Sequence, residues 1–250
     1  MANSTNPPFT IGIVLYPDFD PLDVAGPLDV YTLFDGDVIG REVKVAIIAE
    51  TTAPMTASGG LQVCANFDFA GAPALDMMFV PGAGPGIVDT IGNDNFLDFL
   101  RRTAANCRYV CSVCTGGILL ASAGLLDGYE ATTHWSCIDC LKLFKNVRVP
   151  DGFPRYLRSG NRFTGGGISS TIDEALFMVE TIVNDYTNDA AKAALASQQV
   201  QLKIQYNPKP PYPGGDPASV SKEVYAPVAA EMKGFRDEVC QAVRQRIAKR

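Results

Sequence analysis

The chain has 250 residues, 47% of them hydrophobic and 19% charged, with a net charge of −6. That length can bury a sizeable core as one large or two small α/β units. The acidic balance argues against a nucleic-acid partner, since no Lys/Arg cluster appears before Arg244, Arg246, Lys249 and Arg250, and no apolar run is long enough to span a bilayer.

The first ten residues are polar and contain proline, with no charged n-region or apolar h-region, so a disordered lead-in without a signal peptide is expected over 1–10. Ile11–Tyr16 reads as a buried strand. Asp20-Pro21 then reads as a helix cap with proline at the first helical position, and Leu22, Ala25, Leu28 and Tyr31 follow at helical spacing. Glu42–Ile48 is a second strand, and Met55–Ala65 suggests a hairpin around Gly59-Gly60. The apolar run Met77–Val80 ends in Pro81-Gly82-Ala83-Gly84-Pro85-Gly86, which only a loop accommodates. A helix from Asn95 to about Ala105 leads to a strand over Arg108–Val113.

That strand stops at Cys114, and Thr115-Gly116-Gly117 then open the apolar helical pattern Ile118, Leu119, Leu120, Ala121, Ala123. A strand turning into a helix through small residues is a nucleophile elbow. A cysteine ahead of a helix N-terminus is expected to favour its thiolate. The plainer alternative is a buried cysteine ending a core strand.

Further on, Trp135–Leu143 reads as a helix. Arg155–Arg158 and Arg162–Thr164 flank the turn Ser159-Gly160-Asn161 as a hairpin, and Gly165-Gly166-Gly167 opens a helix from Ser169 to Asn184. The alternation of buried strands and helices implies a doubly wound, mostly parallel α/β sheet sandwiched by helices, with its main unit over 11–205. Tyr206–Pro217 is too rich in proline for a helix or interior strand. It reads as an extended arm leading to a final helix at about Ser219–Lys249, the whole of 206–250 packing on the same unit or on a dimer partner.

Seven cysteines without secreted-domain spacing suggest free thiols in a reducing, cytoplasmic compartment. Cys111/Cys114 and Cys137/Cys140 both have C-x-x-C spacing, but one pair straddles the elbow and the other lies on a helix. Neither a zinc ribbon nor a redox pair fits well. Asp23, in the first helix among Leu22, Val24 and Ala25, is expected to be partly buried and so to hold a proton more tightly than an exposed acid. The first strand and the elbow strand should both end on the ligand-binding edge of the sheet, so Asp23 and Cys114 could meet there. His134, the one histidine, excludes multi-histidine metal sites and leaves either a cysteine partner or a structural residue.

Several stretches resemble the ThiJ/PfpI branch of the class I glutamine amidotransferase-like superfamily, and within it the isocyanide-hydrating subgroup. They are Leu22-Asp23-x-x-Gly26-Pro27-x-Asp29-Val30, Ser112-Val113-Cys114-Thr115-Gly116, Ala123-Gly124-Leu125-Leu126-x-Gly128, Ala131-Thr132-Thr133-His134-Trp135, Thr164-Gly165-Gly166-Gly167-Ile168 and the arm from Val200 to Pro211. The resemblance spans about Thr10 to Pro217. It implies a flavodoxin-like homodimer that needs no cofactor or metal and hydrates a small-molecule isocyanide to an N-substituted formamide. Cys114 would be the nucleophile, Asp23 its acid/base partner and Thr115 a neighbour, with His134 secondary. In that scheme the Cys114 thiolate attacks, Asp23 protonates the carbon, and ionised Asp23 then activates water against a covalent thioimidate. Gly82, Ala83, Gly84, Gly166, Gly167 and Ile168 would line the substrate pocket or oxyanion site, and the Thr115 N–H would stabilise developing negative charge. One departure is Ala83, where the family usually has glycine. If the Ala83 N–H must point into the site at positive φ, the methyl makes that costly. Other cysteine enzymes of the superfamily (glyoxalase/deglycase or peptidase-like) and a non-catalytic ligand-binding regulator are the alternatives. The regulator is disfavoured because no helix-turn-helix pattern follows Asp216.

Overall fold

A computed structural model describes residues 6–249. Residues 1–5 of the expected lead-in lie outside the described residues, and Phe9 and Thr10 already belong to the first strand. In chain order the elements are β1 (Phe9–Val14), α1 (Pro21–Thr32), β2 (Val43–Ala49), β3 (Met55–Thr56), β4 (Gln62–Val63), β5 (Phe67–Asp68), β6 (Met77–Val80), α2 (Gly86–Gly92), α3 (Asp94–Ala104), β7 (Tyr109–Ser112) and α4 (Gly116–Ser122). A 3-10 turn (Trp135–Cys137) then leads into α5 (Ile138–Leu141), β8 (Tyr156–Ser159), β9 (Arg162–Gly165), α6 (Ser170–Thr187), α7 (Ala190–Lys203), α8 (Lys222–Glu231) and α9 (Lys233–Ala248).

The sheet runs β5-β2-β1-β6-β7-β9-β8, and every pair is parallel except the β8–β9 hairpin. β1, β6 and β7 are buried along their whole length, as continuous apolar runs require when helices cover both faces. Alternation then divides the core. Met77, Phe79, Tyr109 and Cys111 pack with the apolar faces of α1, α6 and α7, while Met78, Val80 and Val110 pack with α2, α3, α4 and α9. This doubly wound sheet is the architecture expected from the alternation of strands and helices. Its order places the segments that follow β1, β6, β7 and β9 side by side at one edge.

Several local expectations need adjustment. Trp135–Leu143 is a 3-10 turn and one short helical turn rather than a continuous helix. The final helix is two helices meeting at Met232, and α8 contains Pro227. The short β5, α2 and α7 were not anticipated. The expectation of free thiols fails for one pair, since Cys140 and Cys240 form a disulfide across a sequence separation of 100. Cys240 lies on the buried face of α9 with Val239, Ala242 and Val243, and packing that face on α5 brings the two cysteines together. An odd cysteine count carries no information about such a pair.

Candidate active site

Cys114 leaves β7 at φ 54°, in the left-handed region where a non-glycine residue carries of order 1–3 kcal/mol of strain. Its neighbours over-determine that turn. The Cys114 N–H is shared between the carbonyls of Gly166 (2.8 Å) and Gly165 (3.2 Å), and the Thr133 hydroxyl donates to the Cys114 carbonyl at 2.7 Å. The side chain is 6% exposed.

Asp23 reaches the same corner from the first turn of α1, whose start is fixed by Asp20 accepting the Leu22 N–H at 3.0 Å. It is fully buried, more so than its apolar neighbours suggested. Oδ2 accepts the Gly82 N–H at 2.8 Å, and Oδ1 has no hydrogen-bond partner among the described residues. Burial, then the charge of Asp20, raises its pKa to about 8, against smaller opposing effects of the Gly82 N–H and the Cys114 side chain. Asp23 therefore holds a proton at neutral pH. The contact depends on glycine at 82, because a Cβ there would sit 2.5 Å from the Cys114 Cβ, 2.7 Å from the Thr115 nitrogen and 2.8 Å from Asp23 Oδ2.

The thiol behaves differently from expectation. Burial, with Asp23 adding to it, pushes Cys114 well above the ordinary thiol range, and the Thr115 N–H only partly offsets this. Desolvation outweighs the helix N-terminus, so the cysteine is a protonated thiol at neutral pH. That backbone N–H, read from sequence as a donor to a developing anion, serves the sulfur. The Ala83 N–H is likewise committed, donating to Thr115 Oγ1 at 2.9 Å while that hydroxyl donates back to the Ala83 carbonyl at 3.0 Å. Ala83 is not among the positive-φ residues, so its methyl brings no strain. Neither Gly82 nor Ala83 has a spare N–H for an oxyanion.

Gly84 lies against Asp18, which accepts the Gly86 N–H at 3.0 Å, so it braces the loop rather than touching Cys114. The Gly166 N–H donates to the Arg155 carbonyl at 2.8 Å. Gly167 lies beneath the His134 ring, and Ile168 beside it is 37% exposed, the open side of this corner. His134 Nδ1 pairs with Ser136 Oγ at 2.8 Å, and burial lowers its pKa to about 4. The imidazole is thus neutral and engaged with Ser136. Asp23, Cys114, Thr115 and Gly82 come together, and Gly166 and Gly167 flank them.

Sequence reasoning missed three supports. Tyr16 donates to the Pro81 carbonyl at 2.8 Å, Thr133 holds the elbow, and Thr171 Oγ1 donates to the Asp23 carbonyl at 3.5 Å. It also missed Glu174, a wholly buried acid on α6. The available signal was its place on the apolar stripe of that helix, with Thr171, Ala175 and Met178.

The DJ-1/PfpI family profile matches residues 10–181. Isonitrile hydratase of Pseudomonas putida is 39% identical over 214 residues, 86% of each chain. The HTH-type transcriptional regulator GbdR of Pseudomonas aeruginosa is 30% identical over 180 residues, 69% of this chain and 46% of the regulator. Among solved structures, a ThiJ/PfpI family protein from Pseudomonas syringae superposes with a TM-score of 0.81 at 27% identity, covering 94% of this chain and 90% of its own.

Proposed function

Since the chain belongs to the DJ-1/PfpI family, we propose that it is an isocyanide (isonitrile) hydratase, adding water to an R–N≡C carbon and releasing an N-substituted formamide. The observation that carries this reading is a proton-bearing Asp23 packed into the same buried corner as the strained Cys114. An isocyanide carbon must receive both a proton and a nucleophile, and this pair supplies one of each.

At rest both side chains hold their protons. Asp23 gives its proton to the isocyanide carbon, and the sulfur of Cys114 attacks that carbon as the new Asp23 carboxylate takes the thiol proton. The product is a neutral thioimidate, R–N=CH–S–Cys, with Asp23 protonated again. Asp23 then protonates the nitrogen while water adds to the carbon, and the carboxylate collects the proton that water loses. When the tetrahedral adduct collapses, the hydroxyl proton passes through Asp23 to the departing sulfur. This yields R–NH–CHO and restores the resting pair. One carboxyl alternates between acid and base, and the covalent adduct divides one hard step into two. Hydration involves no net oxidation or reduction, so in this scheme the two side chains need no cofactor.

The same reading has the protein act as a homodimer. No residue of α8 is buried, and Val224, Tyr225 and Val228 on it and Tyr212 on the preceding arm are exposed apolar surface that a second subunit would cover. Sedimentation at micromolar concentration should give a dimer, and a monomer would refute this part. The activity itself is tested with a simple alkyl isocyanide, following loss of the isocyanide infrared stretch and appearance of the formyl proton. Binding without formamide would favour a ligand-sensing role instead.

A further inference from the structure

Glu174 projects from α6 into the core behind the elbow, is wholly buried, and has neither carboxyl oxygen hydrogen-bonded among the described residues. A buried polar group without a partner is destabilising, and an apolar side chain of similar shape would avoid that cost. Its position is specific. A Cβ at Gly165 would collide with Glu174 Oε2 and lie 3.3 Å from its Cδ, so glycine at 165 is what admits the acid. The Gly165 carbonyl in turn receives the Cys114 N–H, and Thr171, one turn earlier on α6, donates to the Asp23 backbone. Glu174 thus backs both halves of the pair without reaching the exposed side of the site. The titratable groups that interact with it are Asp23 and Tyr31 of α1 and Cys111 of β7. Burial pushes Tyr31 and Cys111 well above their ordinary ranges, which leaves Asp23 as the group whose charge changes.

We propose that Glu174 is a positioning residue for the Asp23–Cys114 pair: a neutral carboxylic acid whose unspent O–H supports Asp23 each time it becomes a carboxylate. Burial keeps Glu174 protonated, and an ionised Asp23 holds that proton more firmly still. The acid is then a fixed dipole in a desolvated site, where a dipole acts most strongly on developing charge. The kinetic part of this inference rests on the hydratase reading; the titration part does not.

The test compares Glu174→Met, similar in shape and apolar, with Glu174→Gln, which keeps a neutral polar donor. The readouts are melting temperature, kcat and KM on an alkyl isocyanide, and the pH profile of Cys114 alkylation by iodoacetamide followed by mass spectrometry. The Met variant should melt at or above the wild type, yet lose about tenfold or more in kcat with KM little changed. The thiol itself is held well above its ordinary range, so alkylation needs ionised Asp23 to take the thiol proton. The Met variant's inflection should therefore move upward from the Asp23 value of about 8. The Gln variant should recover most of the rate and the wild-type inflection. A Met variant with wild-type kcat and an unmoved inflection overturns the proposal. If the wild type turns over no isocyanide, the hydratase reading fails while the alkylation profiles still decide the role of Glu174. Should the Met variant not fold, infrared difference spectra of the wild type between pH 7 and 9 decide instead. The carbonyl band that vanishes in Glu174→Gln should shift as Asp23 ionises, and a stationary band overturns the assignment.

Discussion

Cys114 keeps its left-handed backbone because partners on either side hold it, so a side chain of similar size inherits the same turn. Cys114→Ala should therefore melt within a few degrees of the wild type and show no turnover, and substantial formamide production from it would remove the nucleophile assignment. Asp23→Asn keeps shape and hydrogen bonding but has no proton to give. Turnover should fall about 10²-fold or more, the range for general acid–base catalysis, whereas a near-wild-type rate would reduce Asp23 to a structural brace for the Gly82 loop. The pH dependence follows from the same group. Its pKa is raised from 3.8 to about 8, so the acid form is present at neutral pH and kcat/KM should decline as pH rises through about 8. No break should occur near 6.5, because His134 is held neutral with a pKa of about 4. For stability, the folded chain binds this proton more tightly than the unfolded one. The contribution is complete below about 3.8 and is lost as pH climbs to about 8. Denaturant titrations of wild type and Asp23→Asn should show the variant gaining relative stability across that window. A constant difference would mean that Asp23 is not the buried acid described here.

At the scale of elements, the site is a product of strand order: β1, β6, β7 and β9 deliver Asp23, Gly82, Cys114 and Gly165 to one edge from widely separated parts of the chain. Much of this was legible in the sequence. Continuous apolar runs marked Met77–Val80 and the strand before Cys114, and Asp20-Pro21 marked the start of α1, because these signals act over a few residues. What stayed hidden depends on distant partners. The Cys114 thiol is governed by how completely the surrounding helices exclude water, and the Ala83 N–H by a hydroxyl that β7 brings to it. Helix α7 has Leu195 and Leu202 exposed and a weak apolar face, so its spacing gave little to read. The β6–α2 loop packs against the pair too closely to admit a Cβ at Gly82. Gly82→Ala should cost about tenfold or more in rate by displacing Cys114 and Asp23, and a fully active variant would show that the loop can yield without moving the pair.

Over the whole molecule, the Cys140–Cys240 disulfide ties the end of the chain to its middle. In the loop-entropy view a bridge closing about 100 residues is worth up to about 4.7 kcal/mol, and losing a natural bridge costs about 2–5 kcal/mol. Cys240→Ser should therefore melt roughly 4–20 °C lower, given about 2–4 °C per kcal/mol for a chain of this size. A reductant should lower the wild type to the same point and leave the variant unmoved; equal melting temperatures would show that the bridge contributes nothing. The carbonyls that grip the Cys114 N–H belong to Gly165 and Gly166, far downstream of the cysteine they hold. On the ribosome, Cys114 therefore emerges well before the strand that shapes it. A nascent chain halted short of residue 165 presents an ordinary, flexible thiol, and stalled chains of that length should be alkylated at the rate of free cysteine, while chains released at full length should resist. The turn and the burial that shape Cys114 arrive late in synthesis, so an abandoned fragment exposes the thiol that the finished fold shields.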